Sequence, residues 1–278
     1  MIILVKDFGK KVAGDIAGFM EQIRDDTSRR MTNNEVREVS ESYNQVSKML
    51  AKAMNRNPRM ADVSIIASGQ RPSPFPRDGQ LAQGNPVGQA DMMMEYQLPG
   101  ASAWCDLVLL GKGQGKNRVM ILELKNFRAN STVAPSSFPG LIRQNGNEEK
   151  QHPSEQVKGY TEYCQFFHSA VVKSGAVVKG CVYVTSALNV GPYRQFPNDA
   201  LTERYPIFNT DQIDNLVDFV VGQIEEPDNG FAVDFSRGYY HQNRNILRQV
   251  GESMAGLRYG AQAPLYVTIQ DQPAGYLS

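Results

Sequence analysis

Cysteine and histidine are scarce in this chain of 278 residues, which holds three of each. Cys105, Cys164 and Cys181 lie far apart and form no CxxC pair, so we predict reduced thiols in the core rather than a disulfide framework or a zinc site. No GxSxG segment occurs, and the histidines show no partner pattern for a serine or cysteine nucleophile. These absences argue against hydrolases that use such nucleophiles.

Neither sign of charge is in excess, because 29 lysines and arginines balance 29 aspartates and glutamates. Any surface for nucleic acid must therefore be local. No window approaches the roughly 18 uninterrupted apolar residues of a membrane helix. Lys6 and Asp7 interrupt the apolar start too early for the core of a signal peptide. We expect a soluble cytoplasmic protein with no membrane partner.

The first half of the chain predicts a helix, a loop and three strands. Apolar residues from Val36 to Leu50 recur at alternating spacings of three and four, which predicts an amphipathic helix over about 34–54. Residues 55–90 are rich in Pro, Gly, Gln and Arg and predict a long loop. Strand-like runs at 92–99, 104–111 and 118–125 are separated by turn-like segments, so we predict an antiparallel meander.

The second half predicts a helix, a buried strand and further helices. Residues 126–151 are polar and predict irregular structure, after which Pro153 suits the start of a helix. The run VVKGCVYVTSA predicts a buried strand. Two more helices are predicted at about 211–224 and 241–256.

This order of elements predicts an α/β fold with a mixed central sheet flanked by helices. We treat residues 1–278 as a single domain. Its core would span about 30–190, and residues from about 191 to 278 would form a C-terminal helical elaboration.

Three charged residues interrupt the apolar strands. Glu123 and Lys125 are two residues apart on one strand and therefore point to the same side. A hairpin can place Asp106, on the neighbouring strand, beside Glu123. Two carboxylates next to one ammonium suit Mg²⁺ or Mn²⁺ and the hydrolysis of a phosphodiester. The alternative is a same-face ion pair on an exposed strand.

The order of an aspartate, an ExK motif and a helix with QxxxY, here Gln156 to Tyr160, resembles the RecB-like branch of the PD-(D/E)XK nucleases. More narrowly, EYQLPGASAWCDLVLLGKG, RVMILELKNF and HPSEQVKGYTEYCQFF resemble a nuclease-like domain found N-terminal to Schlafen-like bacterial helicase domains. The resemblance covers roughly residues 30–190 and implies a restriction-endonuclease-like core. It implies these catalytic residues: Asp106, Glu123, Lys125, Gln156 and Tyr160.

The resemblance also implies a third metal ligand, because the first helix of the family supplies another acidic residue. EVREVSESYNQVSKML matches that helix and places Glu35 at the acidic position. At about 100° per residue, Glu35 lies roughly 50° from the centre of the apolar stripe, Glu38 about 110° away, and Glu41 nearly opposite. The implied metal ligands are Glu35, Asp106 and Glu123.

The function implied by the resemblance is a metal-dependent nuclease that cleaves DNA, with RNA not excluded, in antiviral defence or DNA processing. A helicase or ATPase would be a partner, since the tail APLYVTIQDQPAGYLS resembles the entry into the helicase part of longer relatives. A homodimer would suit cleavage of both strands. The competing hypothesis is a catalytically silent module that binds nucleic acid or protein, or an accessory subunit of a helicase–nuclease system.

Two further features have open interpretations. His152 could touch a phosphate, or it could cap the helix that follows. Basic residues near the motifs, among them Lys112, Lys116 and Arg118, could form a phosphate-binding groove or only a solvated surface.

Overall fold

The computed structural model describes residues 2–19, 33–66, 96–127, 131–146 and 148–242, with the backbone alone at 33–36 and 66. Contacts group Met1–Tyr240 and His241–Ser278 into two units, and the fold described below is that of the first. The β-strands, in chain order, are β1 (Ile2–Leu4), β2 (Ser64–Ile66), β3 (Tyr96–Gln97), β4 (Trp104–Cys105), β5 (Leu107–Gly113), β6 (Lys116–Lys125), β7 (Val133–Pro135), β8 (Leu141–Gln144), β9 (Glu148–Gln151), β10 (Val177–Val184), β11 (Ile207–Phe208) and β12 (Glu226–Pro227). The main α-helices are α1 (Val5–Gly14), α2 (Asn33–Arg56), α3 (Pro153–Phe167), α4 (Ser169–Ser174), α5 (Asp199–Arg204), α6 (Ile213–Gln223) and α7 (Phe231–Ser236).

A mixed seven-stranded sheet forms the centre of the fold. Its strand order is β1-β2-β5-β6-β10-β11, and β12 pairs with β5. The long strand β6 is antiparallel to β5 and parallel to β10, which is in turn parallel to β11. The predicted mixed central sheet is confirmed.

Helices cover both faces of this sheet. Met120 and Leu122 of β6 pack in a core with residues of α1, α2 and α6. Val119 and Ile121 point to the opposite face and pack with residues of α3, α4 and α7. Because side chains alternate along a strand, the uninterrupted apolar run of β6 serves two cores at once.

Several predicted elements are confirmed. The helix predicted at 34–54 is α2. The run at 104–111 covers β4 and most of β5, and the run at 118–125 covers most of β6, which is antiparallel to β5. The described part of the run at 92–99 contains β3, which pairs with β4 in a separate two-stranded sheet rather than joining a three-stranded meander. Residues 92–95 lie outside the described residues.

The predictions of loop and irregular structure are wrong in two places. Within the predicted loop at 55–90, residues Pro58–Asp62 form a 3-10 helix and β2 lies between β1 and β5. Within 126–151, β7, β8 and β9 form an antiparallel sheet. Each of these strands has three or four residues, which is too few to show a period, and β9 has no apolar residue. Their pairing partners therefore define them.

The C-terminal elaboration, as far as it is described, extends the core. Strand β11 adds to the sheet beside β10, β12 adds beside β5, and α6 packs against α2. The helix predicted at 211–224 is α6, and the helix at 241–256 lies outside the described residues from 243 onward.

The structure also bears on the predictions made from the cysteines and from the lack of long apolar runs. Cys105, Cys164 and Cys181 are buried free thiols, as predicted. Among the described residues, no helix combines the length and the apolar character needed to cross a membrane.

Helix α3 lies unusually close to β10. A Cβ atom built on Gly180 would lie 2.5 Å from Val157 Cγ1 and 2.8 Å from Thr161 Cγ2. Only a residue without a side chain allows the helix to approach the strand this closely. The approach fixes the distance between α3 and the sheet, and therefore the reach of the side chains on α3.

We expect Gly180→Ala to lower the free energy of unfolding by about 1–3 kcal/mol, because α3 must move away from β10. Chemical denaturation followed by circular dichroism measures this change. Gly222→Ala is the matched control, since a Cβ there meets no atom within 4 Å in α6 and should stabilise the protein by about 0.5–1 kcal/mol. Equal effects of the two substitutions would contradict the close-packing explanation.

Candidate active site

Asp106 and Glu123 lie side by side at one end of the paired strands β5 and β6. The last registered pair is Leu107 with Leu122, and the next residue on each strand is Asp106 and Glu123. The Oδ2 atom of Asp106 accepts a hydrogen bond of 2.7 Å from the backbone N–H of Leu124. The hairpin therefore brings the two predicted carboxylates together.

Lys125 lies beside Glu123 on the same face of β6. Its Nζ atom is 2.7 Å from Glu123 Oε1, and the side chains are 24% and 2% exposed, respectively. Glu123 is enclosed because its strand lies between β5 and β10. The ammonium of Lys125 reaches from the edge of the site inward to a buried carboxylate.

The electrostatic environment of Glu123 disfavours its charged form. Burial raises the pKa of the Glu123 carboxyl, the neighbouring Asp106 carboxylate raises it further, and Lys125 lowers it, with a net pKa of about 8. The Oε2 atom of Glu123 is buried and has no hydrogen-bond partner in the described residues. A buried carboxylate oxygen without a donor is costly, and a bound cation would relieve that cost.

Helix α3 adds two further polar side chains to the site. Lys125 Nζ donates to Gln156 Oε1 at 3.0 Å, and Gln156 Nε2 donates to Tyr160 Oη at 2.5 Å. Gln156 and Tyr160 share a helix face because they are four residues apart. The structure thus links five of the six predicted site residues, Asp106 by its position opposite Glu123 and the others through hydrogen bonds.

The side chain of the sixth, Glu35, lies outside the described residues, although its backbone belongs to α2. The following turn of α2 is tied to the end of β6, because Asn126 Nδ2 donates to the backbone oxygen of Glu38 at 3.2 Å. Ser42, on the same helix face as Glu35, is hydrogen bonded to Thr185 at 3.0 Å. Glu35 therefore belongs to the helix end that adjoins the end of β6.

Asn126 was not among the predicted site residues. Besides its bond to Glu38, its Nδ2 atom lies 3.5 Å from Glu41 Oε2, so it connects the residue after Lys125 to α2. Glu41 thus faces the end of β6, although the helical wheel places it away from the apolar stripe. The sequence clue was a polar residue directly after the ExK motif, but its partner on a distant helix could not be inferred.

His152 has a structural role. Its Nδ1 atom accepts from the backbone N–H of Ser154 at 3.0 Å and caps α3, and its Nε2 atom donates to the backbone oxygen of Tyr193, also at 3.0 Å. Burial lowers the pKa of the imidazole, which is fully enclosed. The capping interpretation is confirmed.

The donor set fits a hard divalent cation in part. Asp106 and Glu123 supply carboxylate oxygens, the ligand type that Mg²⁺ and Mn²⁺ prefer, and Glu123 Oε2 is unsatisfied. The described residues hold no group of three or more His, Cys, Asp or Glu side chains that could hold a metal. A third carboxylate would therefore have to come from a side chain such as that of Glu35.

Comparison with known proteins adds no assignment. No protein-family model matches the chain, and neither the curated proteins nor the solved structures contain a match. The function of the chain must therefore be inferred from its own residues.

We expect Glu123 to make the stability of the metal-free protein depend on pH. The carboxyl has a pKa of about 8 in the folded state against 4.5 ordinarily, so between these values the folded state holds a proton that the unfolded state has lost. The stability contributed by the protonated form is therefore lost as the pH rises through this range.

Glu123→Gln removes this titration, so its stability relative to wild type should increase from pH 5 to pH 8, by on the order of a few kcal/mol. Chemical denaturation in EDTA at both pH values measures the difference, in which the contributions of groups that do not interact with Glu123 cancel. The exposed Glu203→Gln is the control and should show no such change. A constant difference between Glu123→Gln and wild type would contradict the raised pKa.

Proposed function

We propose that the chain is a metal-dependent nuclease of the PD-(D/E)XK superfamily, in its RecB-like branch. The observation that supports this most is the pairing of Asp106 with Glu123 beside the Lys125 ammonium, because the buried Oε2 atom of Glu123 receives no hydrogen bond from the donors of the described residues. Metal-assisted hydrolysis of a phosphodiester uses oxygen ligands for a divalent cation and a cationic donor next to them.

The balance of charge favours a metal site over a purely structural ion pair. Two carboxyl groups meet one ammonium, so full ionisation would leave one negative charge without a counterion from these three residues, and the pKa of Glu123 is raised to about 8 as a result of its burial and of Asp106. Burying unbalanced charge is unfavourable, and a buried ion pair alone contributes little to stability. A divalent cation would supply the missing positive charge.

Each residue has a distinct role in the proposed reaction. Asp106 and Glu123, with Glu35, would hold Mg²⁺ or Mn²⁺. When bound, the cation polarises the phosphate and lowers the pKa of a coordinated water. Lys125 would orient the attacking water or stabilise the charge that develops on the phosphate. Gln156 holds Lys125, and Tyr160 holds Gln156.

The finer fold assignment belongs to the same proposal. Helix α2, the hairpin of β5 and β6, helix α3 and the parallel strand β10 follow one another in the order expected of a restriction-endonuclease-like core. The sequence resemblance alone supports the remaining parts of the proposal. These are DNA as the substrate, with RNA as the second choice, a helicase or ATPase partner, a homodimer, and a role in defence or DNA processing.

A second candidate is a catalytically silent module that keeps the fold and binds nucleic acid or protein. Two observations favour it: Lys125 already pairs with Glu123, and the described residues offer two converging carboxylates rather than three. Metal binding and cleavage, measured separately, distinguish the two candidates.

We expect cleavage of supercoiled, linear or single-stranded DNA that requires Mg²⁺ or Mn²⁺. Asp106→Asn, Glu123→Gln and Lys125→Met should each lower the rate by at least about 100-fold, since each removes a metal ligand or the charge that stabilises the transition state. Calorimetry with Mn²⁺ should show weaker binding for the two carboxylate variants and retained binding for Lys125→Met.

The control is Glu203→Gln, an exposed carboxylate outside the site, which should cut DNA at the wild-type rate. Folding of every variant is checked by thermal unfolding. If the folded wild-type protein binds Mn²⁺ but cuts neither DNA nor RNA, the result indicates that a partner is missing. If it neither binds Mn²⁺ nor cuts nucleic acid, the result supports the silent module.

Gln156 should act as a positioning residue. Gln156→Ala removes one of the two acceptors of Lys125 Nζ, so we expect kcat to fall by roughly tenfold while the affinity for Mn²⁺ is unchanged. Gln195→Ala, an exposed glutamine on a loop, is the matched control. A parallel loss of metal affinity would show that Gln156 supports the carboxylates rather than the lysine.

A further inference from the structure

A second concave site lies at the other end of the paired strands. It is a cleft of 720 Å³ between the hairpin end of β5 and β6, helix α4 and the segment that contains α7. Lys112 and Asn117 line it from the sheet. Its volume falls within the range of sites for small ligands, about 300–1,000 Å³.

This cleft is separate from the candidate active site. Lys112 and Asp106 are six residues apart on one extended segment, which corresponds to about 20 Å at ~3.4 Å per residue. Lys112 shares its face of β5 with Val108 and Leu110, and these two residues pack in the core below α3. Glu123, beside Asp106, shares its face of β6 with Val119 and Ile121 of the same core. The buried side chains of Val108, Leu110 and Ile121 fill the space between the two sites.

Three cations line the cleft. Lys112, Lys173 and Arg237 come from the sheet, α4 and the segment after α7. In the part of the chain that is described, none of them forms a salt bridge. Cations from three separate elements that converge without carboxylate partners favour an anionic ligand.

The two carboxylates of the cleft offset only part of this charge, because two negative side chains stand against three positive ones in the lining. Asp228 is 5% exposed, and its oxygens accept from Ser64 Oγ at 2.7 Å and from the backbone N–H of Ala232 at 2.5 Å. Asp228 is therefore engaged in holding the fold together. Asp234 is the exposed carboxylate of the lining, and with Asp228 it leaves one positive charge in excess, three cations less two carboxylates.

An aromatic ring stands among the cations. Tyr239 is 54% exposed, and the Nζ atom of Lys173 lies 5.0 Å from the centre of its ring. The backbone of Tyr239 is fixed by two hydrogen bonds of 3.0 Å with Ser169, one in each direction. An exposed ring held in place at such a cleft suits stacking on a base, while the cations suit phosphate oxygens.

We propose that this cleft binds a nucleoside phosphate, either as a free nucleotide or as the phosphorylated end of a nucleic-acid strand. Lys112, Lys173 and Arg237 contact the phosphate, and Tyr239 contacts the base. The proposal goes beyond the nuclease function and does not depend on it.

The test is calorimetric titration in EDTA with AMP, inorganic pyrophosphate and a 5′-phosphorylated tetrathymidylate. We expect saturable binding of at least one probe to wild type, weakened at least about tenfold in Lys173→Gln/Arg237→Gln, whose charges contact phosphate. Tyr239→Leu should weaken AMP or the oligonucleotide and leave pyrophosphate unaffected. Lys179→Gln, an exposed lysine outside the cleft, and Glu123→Gln, in the candidate active site, should bind like wild type.

The probes also distinguish the source of the phosphate. Tighter binding of AMP than of the oligonucleotide assigns the cleft to a free nucleotide, and the reverse assigns it to a strand end. Absence of binding by folded wild-type protein to all three probes would overturn the proposal. Binding that Lys173→Gln/Arg237→Gln retains, or that Glu123→Gln abolishes, would also overturn it.

Discussion

The architecture depends on the burial of β6 from Arg118 to Glu123, where the strand has a sheet neighbour on each side and helices on both faces. A strand in that position cannot send polar side chains to solvent until its end. Glu123 lies just before the end of β6 and Lys125 lies at that end, so the lysine side chain turns toward the glutamate. The resulting ion pair is only partly compensated, because Asp106 arrives from β5 on the same face. The fold thus concentrates negative charge where the low dielectric makes it most costly.

Helix α3 orders the polar side chains around this concentration of charge. The helix can lie against β10 because Gly180 has no side chain, and it begins at a fixed point because His152 caps it. Both constraints set where Gln156 meets Lys125. A glutamine suits this position because its oxygen accepts from the lysine while its amide nitrogen donates to Tyr160. The nonpolar packing of α3 against β10 therefore also sets the geometry of the polar site.

Sequence reasoning succeeded where a pattern was local. The spacing of apolar residues in α2 and the alternation in β6 predicted both elements, and the two-residue period placed Glu123 and Lys125 on one face. It failed where the partner was distant. Strand β2 has three residues and exists because it pairs with β1 and β5, and the exposed strand β9 exists because it pairs with β8. Such pairings leave no periodic trace in the segment itself.

The balanced total charge of the chain conceals a strong local separation. On one face of the sheet, the carboxylates of Asp106 and Glu123 lie at one end, and Lys112 lies with Lys173 and Arg237 at the other. At a distance of about 20 Å between these ends, two unit charges interact by less than about 1 kcal/mol at an effective dielectric constant of about 20. Neither group therefore neutralises the other, and each keeps its own preference for cations or anions. A total of zero net charge is thus compatible with a divalent cation at one end and a phosphate at the other.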